Sequence, residues 1–155
     1  MRRLRRPLER LLLTVWVGSL WAVGYLAVPV FFANLDTGTA GMLAGKLFTL
    51  VSYIGLVCGA VLILLRGSGY GSRVADWKLG VLVVMLVLVI IGEMIVQPMM
   101  ADLKAPGLVE GSRQAAEFGR LHGIASILYL LESLGGGVLV ASGLEPAGPH
   151  KAANQ

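Results

Sequence analysis

Six side chains able to carry charge, move protons or bind ions lie within long apolar runs of this 155-residue chain: Lys46, Glu93, Gln97, His122, Ser126 and Glu132. An ionisable group at the centre of a bilayer costs at least ~2.5 kcal/mol on insertion scales, so each such residue calls for a partner or a task. At ~1.5 Å per residue, Lys46 falls a few ångströms below the outer end of its run, Glu93 about 10 Å below and His122 about 6 Å below. Gln97 stands one turn above Glu93, and Arg120 sits at the rim. Three helices therefore offer polar groups at similar depth, and their convergence would build an outward-opening site for a cation or a proton. The structural alternative has Lys46 and Arg120 snorkelling to the interface while Glu93 pairs with one of them.

The last apolar run carries the richest pattern. A rotation of ~100° per residue puts His122, Ser126, Tyr129 and Ser133 within a band about 60° wide, which gives this helix one polar face. Glu132 stands roughly 80° from that band and some 20 Å below the outer surface. A neutral Glu132 hydrogen-bonded to a facing backbone group or hydroxyl is the structural account, and a step in a proton path is the functional one.

His122 could also ligate haem or copper, with Met94, Met99, Met100 and Cys58 as soft sulfur donors. No second histidine lies in an apolar run, His150 belonging to the tail, and scattered methionines are ordinary apolar filler. No resident cofactor is expected. Ser126 near His122 does not make a hydrolase, because no nucleophile elbow or oxyanion-hole element accompanies it. Nor does the chain hold a Walker loop, a dinucleotide fingerprint or an HExxH motif. The residues point to a non-enzymatic role.

The elements that position these groups follow from hydropathy. With 56% hydrophobic residues and a mean hydropathy of +0.78, the chain is too apolar for a soluble domain. Four stretches reach the ~20 residues that cross a ~30 Å hydrocarbon layer: 11–32, 43–65, 79–100 and 118–142. The fold class is thus all-α, a four-helix transmembrane bundle over residues 11–142. A basic cytoplasmic segment (1–10) precedes it, and a disordered Gly/Pro/Ala-rich cytoplasmic tail (143–155) follows. The basic head and first apolar run have the look of a secretory signal, but the run exceeds an h-region of about 7–15 residues.

Positive charge alternates between the connections. Arg2, Arg3, Arg5, Arg6 and Arg10 precede the first run, none lies between Ala33 and Gly45, and Arg66, Arg73 and Lys78 follow the second. Positive-inside then places both termini in the cytoplasm, in a multi-pass protein of the cell membrane, read here as a bacterial inner membrane. The arginine cluster lacks the interleaved aromatic side chains that stack on bases, so its partner is the lipid bilayer and not nucleic acid. Cys58 is the single cysteine, which leaves no intrachain disulfide and no CxxC motif.

Two glycine pairs, Gly55/Gly59 and Gly119/Gly123, leave bare helix faces that a neighbour can approach closely. Close packing of the second and fourth helices is the simplest expectation, with a homo-oligomer face as the alternative. Pro29 and Pro98 near the outer ends of the first and third helices predict a kink or an early helix end. Trp16, Trp21 and Tyr25 are expected to pack within the bundle.

Several of these segments together resemble the family of domain of unknown function 4149, also called transmembrane protein 205-like. The element Phe118-Gly-Arg-Leu-His-Gly-Ile-Ala-Ser126 is similar to that family's histidine-glycine motif, and Gly45-Lys-Leu-Phe48 is similar to its small-Lys-Leu-Phe element. Gln97-Pro98 falls where the family carries a polar residue before proline, and helix 1 with Trp16 and Pro29 fits as well. The resemblance implies a four-helix membrane bundle and picks out Lys46, Phe48, Pro98, His122, Gly123 and Ser126 as recurring positions. It implies no reaction. The reading from the residues is an outward-facing polar intramembrane site serving transport, ion binding or a membrane complex. A haem- or copper-handling protein with His122 as a ligand is the alternative.

Overall fold

The computed structural model describes residues 2–67, 77–104, 107–109 and 111–142. Within them the chain runs α1 (Arg2–Ala22), a π-helical turn (Val23–Ala27), α2 (Val28–Asn34), α3 (Thr37–Gly67), α4 (Trp77–Ile91), a second π-helical turn (Gly92–Val96), α5 (Gln97–Lys104) and α6 (Arg113–Ser142). Each π turn continues the helix on both sides. The elements therefore form four spans long and apolar enough to cross a membrane: Arg5–Asn34, Thr37–Leu65, Trp77–Lys104 and Arg113–Ser142. Arg73, on which part of the charge asymmetry rests, and the tail from residue 143 lie outside the described residues.

Helix α1 begins well before the apolar run. Arg, Leu and Glu are good helix formers, and the Arg5 guanidinium donates to Glu9 at 2.8 Å, one turn further on. Span 2 starts where the Asp36 carboxylate accepts the Thr39 amide hydrogen at 2.9 Å. Span 4 starts where the Ser112 hydroxyl accepts that of Ala115 at 3.1 Å. Span 3 ends with the Gly107 amide donating to the Lys104 carbonyl at 3.0 Å, and Gly107 takes a φ of +86° that glycine adopts without a Cβ penalty.

The prolines do something other than end their helices. Pro29 follows the first π turn by two residues, and Pro98 follows the second by two. A proline in an α-helix has no amide hydrogen for the carbonyl four residues back and clashes with it. A widened turn relieves that clash: Val28 donates to the Val23 carbonyl and Gln97 to the Gly92 carbonyl, both five residues back.

Packing closes the four spans into a ring. Helix α1 lies against α3, α3 against α4, α4 against α6, and α6 against α1. We call the half of the bundle nearest the chain ends proximal and the half beyond the π turns distal. Every span contributes to one apolar core, with Trp16, Leu20, Leu62, Leu82, Met85 and Leu139 fully enclosed. Large apolar side chains such as Leu11, Val57, Leu64 and Val84 face outward, as a lipid-facing surface requires.

The glycine pairs behave differently from the expectation of a helix 2 to helix 4 contact. A Cβ on Gly55 would lie 2.5 Å from Trp16 Nε1, and one on Gly59 would lie 2.8 Å from both the Trp16 ring and Leu86. The space left by α3 is thus taken by an indole from span 1 and a leucine from span 3. Gly119 and Gly123 have nothing within 4 Å of a Cβ position, so they face away from the bundle.

Candidate functional site

The polar centre of the bundle lies between spans 1 and 4. Trp16 is 0% exposed, because its indole fills the hollow over Gly55 and Gly59, and this aims its N–H across the core. That N–H donates to Glu132 Oε1 at 3.0 Å. Glu132 is buried on α6 at 6% exposure, and its carboxyl takes this donor from a neutral side chain, not from Lys or Arg. The adjacent Ser133 is 3% exposed, and its hydroxyl is the one enclosed side-chain polar atom without a hydrogen-bond partner among the described residues. Such an orphan hydroxyl in a closed interior is costly, and it leaves bonding capacity unfilled in the core on α6.

A ladder of further contacts holds this centre in register. Trp21 Nε1 donates to the Ser133 carbonyl at 3.3 Å. One turn along α6, the Tyr129 hydroxyl donates to the Leu20 carbonyl. The Tyr129 ring fills the space over Gly24, where a Cβ would come within 2.4 Å of Cε1. It meets Phe48 edge-on at 5.1 Å and Tyr25 at 6.5 Å. These three rings form an aromatic layer on the distal side of Glu132.

The remaining sequence-derived residues stand in the distal half. Glu93 is half-buried in the second π turn, and Gln97 is half-buried directly after it. Lys46 is exposed on α3. His122 is exposed on α6, its ring stacked on Phe118 at 6.1 Å, and its carbonyl accepts the Ser126 hydroxyl at 2.9 Å. Lys104 Nζ lies 4.8 Å over the other partner of that stack, Phe118, and so ties α5 to α6. Among the described residues no hydrogen bond or ion pair joins Lys46, Glu93, Gln97 and His122 to one another. Nor do three or more His, Cys, Asp or Glu side chains gather there as a metal site would need.

The predicted polar band of α6 is divided by this arrangement. Ser133 is buried and Tyr129 half-buried against span 1, while His122 and Ser126 are exposed. Glu132, off the band, is the residue the core encloses. Its partner is the Trp16 indole and not a backbone group or hydroxyl. Sequence reasoning placed Trp16 in the packing but missed this bond. The signal available was a buried indole N–H, which needs an acceptor, in a chain with few buried acceptors to offer.

A model of the family described as domain of unknown function DUF4149 matches residues 11–107, from the first apolar run to the end of span 3. The chain is a member of the DUF4149 family. The match takes in Trp16, Lys46, Glu93, Gln97 and both proline-linked π turns. It stops short of α6, so Glu132, Ser133, Tyr129 and His122 lie beyond the matched part of the DUF4149 chain. No curated protein and no solved structure matches the chain. Family membership and four spanning helices together make this a multi-pass integral membrane protein.

Proposed function

We propose that the bundle is a non-enzymatic ion-binding protein of the membrane, in which Glu132 takes up and releases a proton or a small cation. One observation carries this reading: a carboxyl enclosed in the core whose donor among the described residues is the neutral Trp16 indole. A carboxyl kept only for packing would have its bonding capacity filled, since each unmet polar group in hydrocarbon costs stability. The second carboxyl oxygen of Glu132 is the natural ligand for a proton-bearing water or a small ion.

In this reading the distal groups Lys46, Glu93, Gln97, His122 and Ser126 form the mouth on the outer side. The arginine-rich start then sets both termini in the cytoplasm of a bacterial inner membrane. Four spans are few for a transporter acting alone, so a homo-oligomer or a companion in a membrane complex completes the path.

The test is flux. Purified protein in liposomes with an entrapped pH dye, driven by a potassium diffusion potential, should acidify the lumen faster than empty vesicles. Glu132→Gln should reduce that rate at least tenfold while leaving the circular dichroism spectrum unchanged, and Glu93→Gln should slow entry less. Equal rates in wild type and Glu132→Gln would dispose of the reading. As a chemical companion, a hydrophobic carbodiimide should add its mass at Glu132 in the wild type, with the label lost in Glu132→Gln.

A further inference from the structure

The two halves of the chain repeat one another. At one constant offset, span 1 maps onto span 3 so that Leu13 falls on Leu82, Trp16 on Met85 and Leu20 on Val89, all of them buried. The same offset lays the π turn Val23–Ala27 on Gly92–Val96, and Pro29 on Pro98. A second offset maps span 2 onto span 4. Gly45-Lys-Leu-Phe48 then falls on Gly119-Arg-Leu-His122, and the buried pair Cys58 and Gly59 falls on the buried pair Glu132 and Ser133. The two offsets differ because the connection between spans 3 and 4 is longer than the turn between spans 1 and 2. Spans 1–2 and 3–4 are two versions of one helical hairpin, side by side about an axis along the membrane normal, an arrangement known among membrane transporters.

Packing changes character at the π turns. Below them the ring is closed, with α1 and α4 each against both α3 and α6. Beyond them each hairpin packs on itself: α2 on α3, and both the second π turn and α5 on α6. No packed interface joins α2 to α6 or α5 to α3 among the described residues. The aromatic layer of Tyr25, Phe48 and Tyr129 joins the hairpins at the level of the first π turn. At that level spans 1 and 3 have both a π turn and a proline, the features at which helices bend.

We propose that the matched π turns are a pair of hinges, and that α2 and α5 swing on them, each sliding over the unbroken α3 or α6 on which it packs, so that their tips part and close above the aromatic layer. The proximal ring is the fixed base. Helix α2 has 7 residues and α5 has 8, which makes lever arms of about 10 and 12 Å. A hinge of 20° at each, the threshold of a sharp kink, separates their tips by a further ~7 Å.

Distances between spin labels in lipid nanodiscs test this without reference to ion flux, so the hinge stands or falls separately from the role of Glu132. In a Cys58→Ala background, labels at Asn34→Cys and Asp102→Cys report the distal tips. Labels at Leu11→Cys and Trp77→Cys report the proximal base. The distal pair should show two populations separated by ~7 Å, and the proximal pair one narrow population. Pro29→Ala with Pro98→Ala should collapse the distal pair to one population, and either single variant should narrow it partway. A distal distribution as narrow as the proximal one in the unaltered hinges overturns the proposal, whatever the proline variants do. So does a second population that survives in the double variant.

Discussion

The tightest mechanical link in the molecule is the contact between Gly55 and Trp16, and Gly55→Ala is the perturbation that reads it. The new methyl carbon would sit 2.5 Å from Trp16 Nε1, with two further ring atoms at 3.1 and 3.2 Å. Ordinary contact begins at 3.4 Å, so the indole must give way by about 0.9 Å. It has no empty space to enter, being 0% exposed between α3 and α6, and its N–H is committed to Glu132 at 3.0 Å. Overpacking of this kind costs about 1–3 kcal/mol, and the loss of a buried hydrogen bond about 1–3 kcal/mol more. The two costs overlap, so a net loss of about 2–5 kcal/mol is expected. Reversible unfolding in mixed micelles, followed by circular dichroism and tryptophan fluorescence as the denaturing detergent fraction rises, measures it. Gly45→Ala is the control: nothing lies within 4 Å of its Cβ position, and alanine favours a helix over glycine by about 0.5–1 kcal/mol. Glu132→Leu supplies the second arm. With the acceptor gone, the penalty of Gly55→Ala should shrink by about 1–2 kcal/mol. Equal midpoints for Gly55→Ala and Gly45→Ala would refute the packing argument, and an undiminished penalty in the Glu132→Leu background would refute the link from α3 through Trp16 to the carboxyl.

Three other perturbations follow from named contacts. Tyr129→Phe keeps the ring over Gly24 but removes the donor to the Leu20 carbonyl, and should cost about 0.5–1.5 kcal/mol in the same unfolding assay. At the start of span 2, the Thr39 amide hydrogen bonded to Asp36 holds that carboxyl below its ordinary value of 3.8, so its contribution is complete above that value and is lost as pH falls through the lower, folded one. Amide exchange at Gly38, Thr39 and Ala40, corrected for its intrinsic pH dependence, should therefore lose protection on acidification from pH 6 to pH 3, and Asp36→Asn should abolish that change; a pH response that survives in Asp36→Asn counts against the cap. Lys104 over Phe118 should show a coupling of about 0.5–1 kcal/mol in a double-mutant cycle with Lys104→Met and Phe118→Leu, and a coupling of zero removes the cation–π contact as a tie between α5 and α6.

The four spans were legible because hydrocarbon imposes one requirement along the whole chain, and long apolar runs meet it without reference to any other part of the molecule. Partnership was not legible to the same degree. The Gly55/Gly59 spacing announces a bare helix face, but what fills it depends on the rotation of α1, which places Trp16 there. The prolines announce a disturbed ladder, yet whether the helix stops or widens depends on the residues beyond. Val30 to Asn34 and Met99 to Lys104 are helix-compatible in both cases, and the chain continues through a π turn. Helical periodicity put His122 and Ser126 on one face with Tyr129 and Ser133, but that face straddles the edge of the contact with span 1. Only its proximal part is enclosed.

The repeat gives the two membrane carboxyls a common meaning. In hairpin 1 the position equivalent to Glu93 is Gly24, whose missing side chain admits the Tyr129 ring, and the position equivalent to Glu132 is Cys58, buried in the apolar core. Both hairpins fold, so neither position requires a carboxyl for the helical geometry they share. The hydroxyl of Ser133 likewise stands where hairpin 1 has Gly59. Polar groups that the shared helical geometry does not need, set in hydrocarbon where each carries a cost, are the natural carriers of the ion-binding role proposed above. The first hairpin supplies the complementary features: the Trp16 indole that reaches Glu132, and the Gly24 hollow that lets Tyr129 bond to the Leu20 carbonyl. The second hairpin thus bears Glu132 and Tyr129, and the first supplies the indole and the carbonyl that hold them. This division places the polar centre at the contact between the hairpins, within the proximal base and just beneath the aromatic layer.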